Sequence, residues 1–271
     1  MSYSPSSVQL VVFDWAGTTI DFGSRAPAAA FKQVFAGQGV TVTDQEARKP
    51  MGLHKRDHLI TMLQMPGVAE RWKDAKGCPW TEQDIDTMYH EFMPYQMQAL
   101  EQHRDLIPNV LQVATELRSR NIKLGGTTGY FQAALDVVYA AATKAGFYLD
   151  SNVGADDVPQ GRPAPWMIYE VMRRVGIYPP AAVVKIGDTV ADIAAGRNAP
   201  CWTVGVCNSS SITGLSLEEL NALSDVERDN VLNVTKQAFE AAGSHYTITS
   251  IDEFPSVIDQ INQRLVNGES P

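Results

Sequence analysis

The sequence has few cysteines and no long apolar run. Its three cysteines, at positions 78, 201 and 207 of 271 residues, are odd in number and lack the spacing of metal ligands, so we expect free thiols. No stretch of about 18 apolar residues occurs, which excludes a membrane-spanning helix. The first residues have neither the basic start nor the apolar run of a secretory leader. We therefore expect a cytoplasmic protein with no membrane partner.

Positive charge is also scarce in this chain. It has 22 lysines and arginines against 31 aspartates and glutamates, a formal net charge of −9 at pH 7. Such a chain is not attracted to nucleic acid over long range, although a local positive pocket for a small anion is compatible with it. A hydrophobic content of 44% in 271 residues suffices for one large domain with an insertion, or for two modest ones.

A first strand, at about residues 9–13, precedes roughly eighty residues of helical periodicity. Thr43 with Glu46, and Thr81 with Asp84, have the spacing of helix-starting capping boxes. The helix after Thr81 carries an apolar side made of Met88, Phe92, Met93, Met97 and Leu100. This pattern predicts that residues 22–103 form an inserted, all-helical cap domain.

From Pro108 onward, helices alternate with short apolar strands. Pro108 suits the first turn of a helix. The predicted strands lie near residues 122–127, 152–154, 182–186, 202–206 and 245–249. This alternation predicts an α/β fold whose core, residues 1–21 and 104–271, is a doubly wound, parallel, Rossmann-like sheet. Ligands are expected at the carboxyl ends of its strands.

The first strand delivers a single carboxylate to a turn. Residues 11–19 read VVFDWAGTT, with Asp14 directly before a segment rich in glycine and threonine. An aspartate in that position, facing backbone N–H groups, can act as a nucleophile toward a phosphoryl group beside a metal ion. Ala16, two residues later, offers no acid to protonate a leaving group.

A second carboxylate motif, GDTVAD at residues 187–192, follows another predicted strand. Asp14 and Asp188 at neighbouring strand ends are predicted to bind Mg²⁺, with the carbonyl oxygen of Ala16 as a further ligand. Asp192 is predicted to orient the loop without touching the metal. Taken singly, Asp188 could instead be a helix N-cap, and Asp192 part of a solvated helix face.

These strand ends resemble the motifs of the haloacid dehalogenase superfamily, whose phosphatases have a second aspartate at the place of Ala16. On this resemblance, the phosphate-contacting residue of the segment 126–129 is Thr128, with Gly129 beside it. Arg162 matches the cation of a third motif, although alone it could be a surface charge.

The segment at residues 48–58, RKPMGLHKRDH, is rich in reactive side chains. Together with residues 14–18, 161–167 and 243–246, it resembles the phosphonoacetaldehyde hydrolases, the branch of the superfamily that cleaves a C–P bond through a lysine imine. The resemblance extends over nearly the whole chain. It departs at Ser24, where some members have a cysteine.

The resemblance implies an enzyme that hydrolyses phosphonoacetaldehyde to acetaldehyde and phosphate in the degradation of 2-aminoethylphosphonate. Lys55 would form the imine, which accepts the electrons of the breaking bond, while Asp14 takes the phosphoryl group. His58 would move protons to and from Lys55. Met51 and Tyr130 would line the substrate pocket.

Lys55 must lose a proton before it reacts, and the ordinary pKa of a lysine is about 10.4. Burial, or a neighbouring cation such as Arg56, would lower that pKa. Because the nucleophile and Lys55 lie on different modules, cap closure is expected to assemble the site, with hinges near residues 22–24 and 103–108. The resemblance also implies a homodimer that forms through apolar cap faces in residues 25–103.

Three other interpretations compete with this one. A phosphomonoester phosphatase would explain Asp14 and Asp188 but would give Lys55 no task. A haloacid dehalogenase needs no magnesium and would leave the Gly187-Asp188 pair without a function. A catalytically silent phosphate-binding relative would explain the acid missing at Ala16, but not the other intact positions.

Overall fold

The structure, a computed structural model, describes residues 5–271 and is built around a six-stranded sheet. The strands are β1 Leu10–Asp14, β2 Lys123–Thr128, β3 Ser151–Gly154, β4 Val183–Gly187, β5 Trp202–Val206 and β6 Tyr246–Ile248. Their order is β3-β2-β1-β4-β5-β6, and each neighbouring pair is parallel. The predicted doubly wound, Rossmann-like sheet is confirmed. The first four residues of the predicted core segment 1–21 lie outside the described residues.

β1 lies between β2 and β4, with Asp14 beside Thr127 and Phe13 beside Ile186. All five residues of β1 are buried, as expected for a parallel strand covered by helices on both faces. The carboxyl ends of these three strands therefore meet at one edge.

Five helices stand between β1 and β2. They are α1 Arg25–Gly37, α2 Asp44–Arg48, α3 Lys55–Leu63, α4 Pro66–Lys76 and α5 Glu82–Leu100. Both predicted capping boxes are present, at the starts of α2 and α5. Met88, Phe92 and Leu100 of α5 are buried, whereas Met93 and Met97 are half-buried. The predicted cap, residues 22–103, brackets these helices, and its behaviour as a separate domain stays a prediction.

Seven further helices flank the sheet. They are α6 Val110–Ser119, α7 Gln132–Lys144, α8 Trp166–Val175, α9 Val190–Asn198, α10 Leu217–Ala222, α11 Asp225–Ala241 and α12 Phe254–Val266. The prediction that Pro108 lies in the first turn of a helix was wrong. Asn109 has a left-handed φ of 69°, so α6 begins only at Val110.

The two segments that join the sheet to the five helices pair with each other. Ile20 forms an antiparallel bridge with Leu106, and the Ile107 N–H donates to the Thr19 carbonyl over 2.9 Å. The outgoing segment turns sharply, with positive φ at Asp21, Gly23 and Ser24. The predicted hinges, near residues 22–24 and 103–108, lie where these two segments pair. Their motion stays a prediction.

Two predictions, on the cysteines and on membrane-spanning helices, can be compared with the structure of residues 5–271. Cys78 is exposed and Cys201 and Cys207 are buried, all as free thiols. None of the helices in residues 5–271 has the length and apolar character needed to cross a membrane.

Candidate active site

A narrow pocket lies between the carboxyl edge of the sheet and the five-helix block. Its cavity volume is about 20 Å³, which is room for little more than one water. All of the predicted site residues except His58 and Asp192 line it. The lining residues are Asp14, Ala16, Ser24, Pro27, Met51, Gly52, Lys55, Thr128, Gly129, Tyr130, Arg162, Asp188 and Thr189.

Asp14, the last residue of β1, is buried at one side of the pocket. Nη2 of Arg162 donates to its Oδ1 over 2.5 Å. Burial alone would raise the pKa of Asp14, but the positive charges of Arg162 and Lys185 hold that pKa below its ordinary value. Asp14 is therefore an ionised carboxylate, the form that a nucleophile requires.

Asp188 follows β4 and is fully buried. The N–H of Ser211 donates to its Oδ2 over 2.8 Å, while Oδ1 has no hydrogen-bond partner among the described residues. Burial, and then the negative charges of Asp14 and Asp192, raise the pKa of Asp188 well above its ordinary value. Its ionised form therefore needs a nearby positive charge.

Asp192 completes a group of three buried carboxylates, with oxygens of Asp14 and Asp188 all within 4.8 Å of one another. The charge of Asp192 is already matched, because its Oδ1 lies 2.8 Å from Lys185 Nζ and its Oδ2 accepts the Thr189 hydroxyl over 2.5 Å. Asp14 and Asp188 keep oxygens available for a cation. Carboxylate oxygens are the ligands of hard divalent ions, so these residues fit the predicted metal site.

Arg162 is buried beside this group, and it is not the surface charge that its sequence context alone allowed. Its Nη2 also donates to the carbonyl oxygen and the hydroxyl of Thr127, over 2.8 and 3.1 Å. Its Nε lies 3.2 Å from Asp192 Oδ1. These contacts fix the guanidinium at the place where it can offset charge on a phosphoryl group.

Some residues of the site were not predicted. Lys185 is fully buried in β4, and its ammonium pairs with Asp192. The available signal was a lysine within an otherwise apolar strand. Ser24, Pro27 and Thr189 also line the pocket, although the sequence assigned none of them a role in the site.

Lys55 is the first residue of α3 and reaches the pocket from the helical block. It is 3% exposed, and its Nζ lies 5.8 Å from the ring centre of Phe31 and 5.2 Å from that of Tyr130. Burial lowers the pKa of Lys55 to about 8, although nearby carboxylates oppose the shift. A substantial fraction of this amine is therefore neutral near pH 8.

Of the two causes predicted to lower the pKa of Lys55, burial is confirmed and the charge of Arg56 is not. The Arg56 guanidinium lies at the surface, where Nη2 contacts Glu82 and Asp86 over 2.6 and 2.9 Å. Neighbouring residues of a helix point about 100° apart, so Arg56 faces away when Lys55 faces the pocket. After burial, the cation that lowers this pKa is Arg162.

His58 lies one turn beyond Lys55 and outside the pocket lining, fully buried. Its ring stacks on Phe31 with centres 3.7 Å apart, and its Nε2 lies 2.9 Å from the carbonyl oxygen of Ala47. Because a carbonyl only accepts, Nε2 carries the proton and Nδ1 is left with a free lone pair. Burial, and then the charge of Lys55, lower the pKa of His58 well below its ordinary value, so the ring is neutral.

Two glycines let the helical block touch the sheet edge directly. Gly52 has a φ of +92°, and a Cβ there would lie 2.4 Å from the Thr189 hydroxyl oxygen. A Cβ on Gly129 would lie 2.5 Å from the carbonyl oxygen of Leu53. Close backbone approach at these points brings Lys55 to the carboxylates.

Comparison with known proteins agrees with this arrangement. The family model of haloacid dehalogenase-like hydrolases matches residues 8–200. The phosphonoacetaldehyde hydrolase of Bacillus cereus (strain B4264) is 41% identical over 257 residues, which is 95% of this chain and 97% of that protein. A phosphonoacetaldehyde hydrolase-like protein of Syntrophobacter fumaroxidans is 42% identical over 264 residues, 97% of this chain and 95% of its own.

A solved structure is similar over the same extent. The crystal structure of a phosphonoacetaldehyde hydrolase-like protein from Oleispira antarctica has a TM-score of 0.96 and 39% sequence identity. The match covers 97% of this chain and 96% of that one, so it includes both the sheet and the five-helix block.

Asp188→Asn is expected to abolish divalent-metal binding and to stabilise the metal-free protein, because it removes one of three crowded negative charges. Thermal unfolding with and without MgCl₂ measures both effects. At 100 times Kd, bound metal stabilises the wild-type protein by about 2.7 kcal/mol, and the variant should gain nothing. Asp57→Asn, an exposed change on α3, is the control. An equal gain in Asp188→Asn and wild type would contradict the metal site.

Proposed function

The chain belongs to the haloacid dehalogenase-like hydrolases, in the branch of the phosphonoacetaldehyde hydrolases, and we propose that it hydrolyses the C–P bond of phosphonoacetaldehyde to acetaldehyde and phosphate. One observation carries the proposal. Asp14 and the buried amine of Lys55 line the same pocket, while Ala16 supplies no acid for an ordinary leaving group.

The metal of this site is proposed to be Mg²⁺, held by Asp14, Asp188 and the carbonyl oxygen of Ala16. When bound, Mg²⁺ would neutralise charge on the phosphoryl oxygens. Thr128 and the backbone of Gly129, at the end of β2, are proposed to contact the same phosphoryl group.

The first step in the proposed reaction uses Lys55. Its neutral amine adds to the substrate aldehyde, and loss of water gives a protonated imine. His58 has a free lone pair at Nδ1 and is proposed to take the proton that the amine releases and to return it later. Met51 and Tyr130 line the pocket beside the two-carbon unit.

The second step breaks the C–P bond. An Asp14 oxygen forms a bond to phosphorus, and the electron pair of the C–P bond moves into the imine to give an enamine. This avoids a free carbanion, which an acid at position 16 would rescue poorly. The Arg162 guanidinium, 2.5 Å from Asp14 Oδ1, offsets the charge at phosphorus.

Two hydrolyses complete the cycle. Water attacks the aspartyl phosphate and releases phosphate, which returns Asp14 to its carboxylate form. The enamine takes a proton at carbon, and water hydrolyses the resulting imine to acetaldehyde and the free amine of Lys55. The substrate is an aldehyde that transamination of 2-aminoethylphosphonate would supply, so we place the reaction in the degradation of that compound.

Borohydride trapping tests the mechanism. The protein is incubated with MgCl₂ and phosphonoacetaldehyde and reduced, and mass spectrometry is expected to find a two-carbon adduct on Lys55. An unreduced sample should release phosphate and acetaldehyde in equal amounts. Lys55→Arg should give neither adduct nor products, because a guanidinium does not form the imine. Lys49→Arg, the same change at an exposed neighbour, should behave as wild type.

Other outcomes of this experiment favour the rival functions. If ordinary phosphate esters are assayed in parallel, phosphate release from these alone, with no adduct, would identify a phosphomonoester phosphatase. Absence of both adduct and product release would identify a silent phosphate-binding relative.

The pH dependence of kcat/KM reports the ionisation of the Lys55 amine in the free enzyme. Since only neutral Lys55 attacks the aldehyde, kcat/KM should rise with pH and level off above about 8, the lowered pKa of Lys55. Initial-rate measurements of acetaldehyde release between about pH 6 and 9.5 would reveal the rise. A flat profile across this range would show that no group of this pKa controls the reaction.

We also propose that two copies pair through their helical caps. Half-buried apolar side chains occur along α3 and α5, among them Ile60, Tyr89, Met93 and Met97. Pairing would bury such side chains further. Light scattering should give twice the 29.7 kDa of one chain, and the mass of a single chain at working concentration would contradict the pairing.

A further inference from the structure

Three consecutive serines after β5, Ser209, Ser210 and Ser211, are all buried. We call them the serine loop. A run of serines in a loop is ordinarily exposed to water, so full burial calls for a physical reason. The hydrogen bonds of this loop supply that reason. They reach the carboxyl edge of the sheet, the segment 15–24 between β1 and α1, which we call the linker, and the helical block through Arg48.

Toward the site, the serine loop holds Asp188, a proposed metal ligand, and the turn after Asp14. The Ser210 hydroxyl donates to the carbonyl oxygen of Asp188 over 2.6 Å, and the Ser211 N–H donates to Asp188 Oδ2 over 2.8 Å. The Ser209 hydroxyl donates to the carbonyl oxygen of Gly17 over 2.7 Å. The loop thereby fixes both the backbone and the carboxylate of Asp188 and the turn that follows Asp14.

Toward the linker, the serine loop binds Gly23. The Gly23 N–H donates to the carbonyl oxygen of Ser209 over 2.9 Å. Gly23 has a φ of +80°, and a Cβ there would lie 2.2 Å from the carbonyl oxygen of Leu215. The outgoing linker therefore lies directly against this loop.

Arg48, the last residue of α2, extends the connection to the helical block. Its Nη1 donates to the carbonyl oxygen of Gly23 over 2.6 Å and lies 3.5 Å from that of Ser211. The hydrogen bond to the Gly23 carbonyl is the stronger of the two. Arg48 therefore contacts the serine loop mainly through Gly23. Asp44 holds the Arg48 Nε over 2.5 Å from the solvent side.

We propose that the serine loop couples the position of the helical block to the metal ligand Asp188, with Arg48 and Ser210 as positioning residues. When Arg48 holds Gly23, the linker and the serine loop keep the Asp188 carboxylate close to that of Asp14. A change in the position of the helical block would then change the affinity of the site for the metal. The inference rests on the proposed metal site and not on the identity of the substrate.

Magnesium affinity tests the coupling without substrate. Titration calorimetry with MgCl₂ compares wild type, Arg48→Met, Ser210→Ala and the double variant. Loss of a partner that orients a metal ligand weakens metal binding about 10- to 100-fold, and we expect about 10-fold for Ser210→Ala and a smaller loss for Arg48→Met. The double variant should lose less than the product of the two, because both residues act on one network.

Two further variants separate coupling from a general loss of structure. Arg48→Lys keeps a donor for the Gly23 carbonyl and should recover part of the affinity. Asp44→Asn keeps an acceptor for Arg48 and leaves the carbonyl contacts in place, so it should bind Mg²⁺ as wild type. Circular dichroism and thermal unfolding verify that each variant is folded.

Wild-type magnesium affinity in Arg48→Met, or strictly multiplicative losses in the double variant, would overturn the proposal. If Ser210→Ala does not fold, the comparison of Arg48→Met with Arg48→Lys decides it alone. Because the readout is metal binding, failure of the proposed C–P hydrolysis would leave this result intact.

Discussion

The arrangement of the candidate active site depends on the charge balance of one buried cluster of three carboxylates. Asp14, Asp188 and Asp192 have oxygens within 4.8 Å of one another, and a buried charge without a partner costs several kcal/mol. Arg162 and Lys185, both buried, offset part of this negative charge. Enough remains to favour a divalent cation between Asp14 and Asp188. The parallel neighbours β1 and β4 place these two carboxylates together.

Burial acts in opposite directions on the acids and the amine of this pocket. It raises the pKa of Asp188, which makes the charged carboxylate dependent on a cation, and it lowers the pKa of Lys55 to about 8, which frees the amine to react. The same exclusion of water would slow hydrolysis of the aspartyl phosphate that we propose at Asp14. The missing acid at Ala16 is consistent with a reaction in which an imine, rather than a proton donor, receives the electrons.

The features that sequence patterns predicted well are those that depend on residues close together in the chain. Asp14 and Asp188 each follow a short apolar run, and such runs become buried parallel strands whose carboxyl ends meet. The capping boxes at Thr43 and Thr81 could likewise be predicted from the sequence, because a capping box involves residues only three positions apart. The expected fold is confirmed by the observed sheet, and the expected family by the comparison with known proteins. The start of α6 was misjudged because a left-handed residue, Asn109, carries no strong signal of its own.

The sequence alone determined the element types and the approximate strand ends, since these follow from periodicity. The roles proposed for Asp14 and Lys55 came from residue type and from resemblance to a family. Tertiary structure decided which charges face each other. It directed Arg56 to the surface, brought Lys185 to Asp192, and joined Arg48 to a serine loop more than 150 residues away along the chain. Contacts of this kind depend on packing between segments distant in sequence, and no local pattern of residues encodes them.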